Sequence, residues 1–269
     1  MKPIDFNPGM CSSSYPHAFV HPNAKIGEHV QIGPHSTIGK NVMIGDNCII
    51  GPNVVIEGWT IIGAANQFCA GSSIGCDFQD LKKNGEKTFL YIGNDNIFRE
   101  FVSICVGTVE GGGETRIGNN NLLMNYSHIA HDCRVGNDVI ITNSVNLAGN
   151  VIVEDKARIG GLSNIGSHCR IGKMAMVGAM TMVEKDIPPY WLVDGNPVGI
   201  YGLNAVGLRR NGIDGEAQMA LKRAHHLLYR SNLKLADAIE RMEQELVAVG
   251  EIKELIRFIR ESKIGVLGL

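Results

Sequence analysis

An aliphatic or aromatic residue recurs at every sixth position through most of the chain, and this period constrains the fold more than any other feature. One series runs from Val20 to Ile74, a shorter one resumes in phase from Ile92 to Ile104, and a third runs, after a one-residue slip, from Ile117 to Val183. Each unit suits a short strand and a turn, with its apolar side chain pointing inward. Three units close a coil of ~18 residues, and coils stack at roughly 4.7 Å. The sequence therefore predicts a parallel β-helix.

Two stretches interrupt the period, at residues 76–91 and 107–114. Loops that leave a rigid solenoid often carry function, although either stretch can be a tolerated insertion. Within the repeat, a glycine directly follows many of the inward residues, and we expect it to let the backbone bend without a clash at Cβ. The period itself is expected to stop after Val183, where prolines follow.

From about Gly215 the apolar residues recur at spacings of three and four, which is typical of amphipathic helices. We therefore predict a mainly β protein in which a β-helix domain, residues 1–197, precedes a small α-helical domain, residues 198–269, of about three helices. Such helices would cap the open end of the solenoid.

Composition excludes several classes of protein. The net charge is −2, so no basic field indicates nucleic-acid binding. No apolar run reaches the ~18 residues of a transmembrane helix, and no secretory leader is recognisable at the N-terminus. The cysteines are seven in number and form no CxxC pair, which favours a reducing compartment with thiols as small core residues. We predict a cytoplasmic protein.

The segment NNNLLMNYSHIAHDC, residues 119–133, carries the strongest chemical signal. Ile129 takes the inward position, so His128 and His131 should face outward. A neutral imidazole beside a carboxylate, here Asp132, is what a general base requires. The alternative is a pair of solvated polar residues in a turn. No third ligand has metal-binding spacing relative to the two histidines, and we predict no metal.

A step of 18 residues per coil places Asp132, Asn150 and His168 above one another on one face. Gly149 would then lie near the level of His131, where its backbone N–H would serve as an oxyanion donor. The other interpretation is one more turn glycine. The GGG run at 111–113 lies in an insertion rather than between a strand and a helix, which argues against a phosphate loop.

Several blocks of the chain resemble one family in the order in which that family has them: QDLKKNGE, GTVEGGG, NLLMNYSHIAHDCRVGND, DIPPYWLVDGNP and GLNAVGLRRNG. The family is that of the acyl-[acyl-carrier-protein]–UDP-N-acetylglucosamine O-acyltransferases, which begin lipid A biosynthesis. The resemblance implies a left-handed β-helix, a homotrimer, an acyl carrier protein as donor of a 3-hydroxyacyl chain, a UDP-sugar as acceptor and no cofactor.

The resemblance also implies roles for individual residues. His131 corresponds to the catalytic base, Asp132 to the carboxylate that orients it and Gly149 to the oxyanion donor. The implied substrate-binding residues are Asp80, Lys82, His128, Asn204 and Arg210. Ala179 corresponds to the position that limits acyl-chain length, where glycine accompanies long chains, so the extra methyl predicts a shorter chain.

The chain departs from the family pattern at several polar positions. Asn150 replaces a usual His, Gly166-Ser167 replaces His-Gln, Cys105-Val106 replaces His-Arg, and Val206 and Asn211 replace a Glu and an Arg. None of these lies on the inward register. Two alternatives therefore stay open: an N-acyltransferase that acts on a 3-amino UDP-sugar, and a non-catalytic hexapeptide protein that binds a nucleotide sugar.

Overall fold

The computed structural model describes residues 15–79, 86–246 and 248–269. The chain divides into two compact units, one ending at Asn137 and the other beginning at Asp138. In both units most strands are only two residues long and run parallel to their neighbours. The predicted fold class is confirmed: a left-handed parallel β-helix of hexapeptide repeats followed by short α-helices.

The strands of the first unit form three parallel sheets. The first sheet contains β1 (Phe19–Val20), β4 (Thr37–Ile38), β7 (Val55–Ile56), β10 (Ser73–Cys76), β13 (Ser103–Cys105) and β16 (His128–Ile129). The second contains β2 (Lys25–Ile26), β5 (Met43–Ile44), β8 (Trp59–Ile62), β11 (Phe89–Ile92), β14 (Glu114–Ile117) and β17 (Arg134–Val135). The third contains β3 (Gln31–Ile32), β6 (Ile49–Ile50), β9 (Gln67–Phe68), β12 (Ile97–Phe98) and β15 (Leu122–Leu123).

The strand register follows the predicted coil length. Phe19 pairs with Thr37, a step of 18 residues, and Val20 with Ile38. The step is longer where Ile74 pairs with Ile104 and where Ile92 pairs with Ile117, because the two interrupting stretches lie between these partners. In the two-residue strands of this unit from β4 onward, the second residue is buried and the first is not, which follows from the alternation of side chains along a strand. Each coil thus adds a layer of inward apolar residues to one continuous core.

Glycine was expected to form the bends at the corners of the coils, and the structure differs from this expectation. The left-handed backbone conformation is taken mostly by non-glycine residues, such as Asn47 with φ of 58° and Asp132 with φ of 60°. The glycines after the inward aliphatics serve close stacking instead. A Cβ on Gly33 would lie 2.7 Å from the backbone of Gly51 in the next coil. These glycines therefore set the approach of successive coils rather than the bend.

The second unit continues the same construction. One group of parallel strands contains β19 (Asn146–Leu147), β22 (Asn164–Ile165) and β25 (Met182–Val183). A second contains β20 (Ile152–Val153) and β23 (Arg170–Ile171). A third contains β18 (Ile140–Ile141), β21 (Arg158–Ile159), β24 (Met176–Val177), β26 (Trp191–Asp194) and the antiparallel β27 (Gly199–Leu203).

The parallel coil continues beyond Val183, although the six-residue period ends there: Val177 pairs with Val193, a step of 16 residues rather than 18. Ile187 bridges Ile171, and β26 pairs in parallel with β24. Pro188 and Pro189 lie at the corner before β26, where their missing N–H groups cost no strand hydrogen bond. The prolines were therefore compatible with one more turn. The predicted domain boundary after residue 197 falls between β26 and β27 and stays a prediction.

Four helices occur in the described part of the second unit, one more than expected: α1 (Ala205–Arg210), α2 (Gly215–Tyr229), α3 (Leu235–Glu245) and α4 (Gly250–Glu261). The additional helix is the short α1, which Asn204 caps through a hydrogen bond from the Gly207 N–H. The helices share a core with the last strands, since Tyr190 and Trp191 pack among buried helix residues such as Leu221 and Leu255. Among the described residues, no helix is both long and apolar enough to cross a membrane.

Candidate active site

His131 and Asp132 form a hydrogen-bonded pair in the first unit, at the corner that follows β16. The His131 Nδ1 lies 2.7 Å from Asp132 Oδ2. The histidine side chain is 31% exposed, whereas the aspartate side chain is fully buried. A carboxylate accepts hydrogen bonds only, so His131 donates from Nδ1 and keeps its lone pair on Nε2. The predicted base and its orienting carboxylate are thus brought together, with the ring partly open to solvent.

The loop between β13 and β14 holds the Asp132 carboxylate in place. The backbone N–H of Thr108 donates to Oδ1 at 2.8 Å, and the Thr108 hydroxyl donates to Oδ2 at 2.7 Å. The Asp132 N–H in turn donates to Thr115 Oγ1 at 2.9 Å. Each carboxylate oxygen therefore has a fixed donor, which orients the acceptor face that His131 contacts. Thr108 and Thr115 were not among the residues predicted from the sequence.

Gly111 explains part of the glycine run in this loop. Its N–H donates to Thr108 Oγ1 at 3.0 Å, and a Cβ at this position would overlap the Asp132 carboxylate. A glycine is needed where a backbone approaches another group this closely. The context of the run argued against a phosphate loop, but its role in packing against Asp132 was not predicted. The GTVEGGG block was the available signal, since clustered glycines indicate a close backbone approach.

His128 lies in β16 and has a different partner. Its Nδ1 is 2.7 Å from the hydroxyl oxygen of Ser103 in the neighbouring strand β13. Both side chains are half-buried. Burial lowers the pKa of His128 below its ordinary value, so the ring is neutral at pH 7. Different groups thus fix the two rings: Ser103 contacts His128, and Asp132 contacts His131.

The first interrupting stretch also borders the site. Phe78 is almost fully buried and packs edge-on against the His131 ring, with centroids 5.9 Å apart. Two residues earlier, Cys76 pairs in register with Cys105, and their sulfur atoms are 3.5 Å apart. The hydrogen bond from the Cys105 thiol lowers the pKa of Cys76. Asp80 and Lys82 lie outside the described residues.

The remaining predicted residues lie in the second unit. Gly149 is buried, and its carbonyl accepts a hydrogen bond from the His168 N–H at 3.1 Å. Asn204 is the N-cap of α1, and its Nδ2 donates to the Met174 carbonyl at 2.9 Å. Arg210 is exposed at the end of α1, and Ala179 is exposed in the turn after β24. Their predicted roles toward a substrate stay predictions.

Two family profiles match the chain. The profile described as UDP-N-acetylglucosamine O-acyltransferase, domain 2, matches residues 186–267, and the bacterial transferase hexapeptide profile matches residues 23–58 and 114–149. The acyl-[acyl-carrier-protein]–UDP-N-acetylglucosamine O-acyltransferase of Myxococcus xanthus is 46% identical over 251 residues, with 93% of this chain and 97% of that protein covered. The chain belongs to this family. It is an acyltransferase.

Further comparisons agree with the family assignment. The enzyme of the same name from Trichlorobacter lovleyi is 53% identical over 204 residues, which cover 75% of this chain and 78% of that protein. Among solved structures, the UDP-N-acetylglucosamine acyltransferase of Bacteroides fragilis superposes with a TM-score of 0.92 at 40% identity. That superposition covers 96% of this chain and all of the other. Membership therefore extends over both units and is not limited to the repeat.

Proposed function

We propose that this acyltransferase moves a 3-hydroxyacyl chain from acyl carrier protein to the 3-hydroxyl of UDP-N-acetylglucosamine, the first step of lipid A biosynthesis. The observation that carries the proposal is the His131–Asp132 pair, in which a buried, triply hydrogen-bonded carboxylate leaves the lone pair of His131 on Nε2. The names of the relatives support the identity of the donor and the acceptor.

In the proposed reaction, His131 Nε2 takes the proton from the sugar hydroxyl as its oxygen attacks the thioester carbonyl. The tetrahedral oxyanion that forms would be stabilised by the backbone N–H of Gly149. Collapse of the intermediate expels the thiolate of the carrier protein, which receives the proton from His131. Atoms and charge balance without any cofactor, and we propose that none is used.

Binding roles complete the proposal. We assign recognition of the UDP-sugar to Asp80, Lys82, His128, Asn204 and Arg210, and limitation of the acyl chain to Ala179. The exposed Ala179 methyl favours chains shorter than those taken by relatives with glycine at this position. Assembly as a homotrimer and location in the cytoplasm are part of the same proposal.

Acyl transfer by the purified protein tests the function. With 3-hydroxyacyl carrier protein and UDP-N-acetylglucosamine, we expect activity that falls by about 10²- to 10⁴-fold in His131→Ala, the range for loss of a general base. His226→Ala is the matched control, because His226 is exposed on α2. Absent activity in the unmodified protein, or equal activity in His131→Ala, would reject the proposal.

The same assay distinguishes the N-acyl alternative. A 3-amino UDP-sugar offered in place of UDP-N-acetylglucosamine would be the better acceptor if the departures at Asn150, Gly166 and Ser167 adapt the site to an amine. Faster transfer to the 3-amino sugar would mean that the acceptor is an amine rather than the proposed hydroxyl. The proposed role of His131 as the base would be unchanged. Profiling with donors of different length tests Ala179, and a preference for C14 or longer chains would contradict its assigned role.

A further inference from the structure

We propose that Ser103 is a positioning residue that holds His128 with its proton on Nε2, the tautomer opposite to the one that Asp132 imposes on His131. One histidine would then offer the site a lone pair and the other an N–H donor. The tautomer of His128 is inferred only from contacts within the first unit. Its consequence for the sugar nucleotide rests on the proposed function.

The strand register places the two side chains together. Ser103 and His128 are direct partners in the parallel strands β13 and β16, and the inward residues Ile104 and Ile129 follow them. Their outward side chains therefore lie side by side, with Ser103 Oγ 2.7 Å from His128 Nδ1. Neighbours in a sheet are fixed by the backbone hydrogen bonds, so this contact is built into the coil rather than made by a mobile loop.

The direction of the hydrogen bond follows from the available acceptors. Within the described residues, His128 Nδ1 is the sole acceptor at hydrogen-bonding distance from the Ser103 hydroxyl. A hydroxyl that donates to Nδ1 requires a lone pair there, which places the ring proton on Nε2. The reverse assignment would leave the hydroxyl proton of a half-buried serine without a protein acceptor.

His131 shows the contrasting case. Its Nδ1 faces the carboxylate Oδ2 of Asp132, which can only accept, so the proton of His131 sits on Nδ1. The two rings are three residues apart and are fixed through the same ring atom. A hydroxyl on one and a carboxylate on the other give their free Nε2 atoms opposite roles: an N–H on His128 and a lone pair on His131.

The neutral state of His128 makes the tautomer matter. Burial disfavours the imidazolium and lowers the pKa of this histidine, so at pH 7 the ring has a single N–H to offer. On Nε2 that N–H suits an acceptor oxygen of the substrate, such as a sugar hydroxyl or a phosphate oxygen. On Nδ1 the N–H would face Ser103 and would not be available to the substrate. Ser103 thus acts on substrate binding through His128, without contacting the reacting atoms.

The tautomer is measured directly by two-bond ¹⁵N–¹H correlation spectra of ¹⁵N-histidine-labelled protein near pH 7.5, with His128→Gln used to assign the ring signals. We expect the Nε2–H pattern for His128 in the unmodified protein and in Ser103→Thr, which keeps the hydroxyl. Ser103→Ala should show a mixture with the Nδ1–H form. An Nδ1–H pattern in the unmodified protein, or an unchanged pattern in Ser103→Ala, would overturn the inference.

Kinetics provide the functional arm. In Ser103→Ala we expect KM for the UDP-sugar to rise about tenfold, the scale of one lost hydrogen bond, while kcat changes little. Ser103→Thr should restore KM. An equal loss in both variants, or a loss confined to kcat, contradicts positioning by the hydroxyl. If the unmodified protein transfers no acyl group but shows the expected tautomer, the proposed function fails while the role of Ser103 in fixing His128 stands.

Discussion

The regular coils and the loop between β13 and β14 differ in the kind of contact that holds them together. In a coil, one apolar inward residue per six suffices, and neighbouring layers supply many similar contacts. In the loop, single groups such as Thr108 and Gly111 each contact a defined partner, the side chain of Asp132. The comparison teaches that stability in this protein is distributed over repeated layers, whereas the geometry of the site depends on a few contacts that occur once.

The largest expected effect tests the coil side of this comparison. Ile50 is 1% exposed and Ile49, its neighbour in β6, is 44% exposed. Ile50→Ala should lower the free energy of unfolding by about 2–5 kcal/mol, the range for a large-to-small change in a core. Ile49→Ala should cost less than about 1 kcal/mol, since little buried surface is lost. Denaturant unfolding of both variants measures the difference, and equal losses would contradict the inward register.

Gly111→Ala tests the loop side. The added methyl would overlap the Asp132 carboxylate and displace it from His131. A misplacement of about 1 Å in a catalytic constellation can lower the rate about 10²-fold, and we expect a loss of kcat on this scale. Gly215→Ala, where a Cβ meets nothing within 4 Å, is the matched control. Unchanged kcat in Gly111→Ala would show that the loop does not position Asp132.

Thr108→Val removes one hydrogen bond from the same network but keeps the backbone donor. We expect kcat to fall about tenfold, because one donor to Asp132 Oδ2 is lost. Thr142→Val serves as the comparison, since the Thr142 hydroxyl donates to the carbonyl of Ile159 in a regular coil. A similar loss of activity in both variants would mean that the effect is general destabilisation rather than positioning.

The smallest expected effect concerns the thiols. The pKa of Cys76 is lowered by the Cys105 thiol, whereas burial raises the pKa of Cys69, another half-buried thiol. A lower pKa gives more thiolate at pH 8, and the thiolate is the reactive form. Iodoacetamide should therefore alkylate Cys76 several-fold faster than Cys69, and Cys105→Ala should slow it. Peptide mass spectrometry gives the rates, and equal labelling of the two cysteines would contradict the shift.

Much of the fold could be predicted because the period repeats in every layer. The inward series from Val20 to Val183 identifies the buried face, and the 18-residue step reappears in the strand register. The last coil was not predicted, because Pro188 and Pro189 were interpreted as residues that end the repeat. At a corner, however, they interrupt no strand hydrogen bond. The roles of the repeat glycines also differed, since close stacking of coils is a contact between layers rather than a local bend.

The candidate site was predicted only in part. His131 and Asp132 are adjacent in sequence, so their pairing was expected from the residues alone. Thr108 and Ser103 are distant from their partners by 24 and 25 residues, and the insertion at 107–114 changes the step between coils. No fixed spacing therefore pointed to them. The positions at Asp80 and Lys82 depended entirely on resemblance.

The sequence by itself determined the β-helix, the inward register and the pairing of His131 with Asp132, because these depend on periodicity and on neighbours along the chain. The tertiary structure decided which groups hold His131 and His128. A hydrogen bond between coils depends on the path that an insertion takes before the next strand begins. That path is set by close approaches such as Gly111 against Asp132, and these exist only once the coils have stacked.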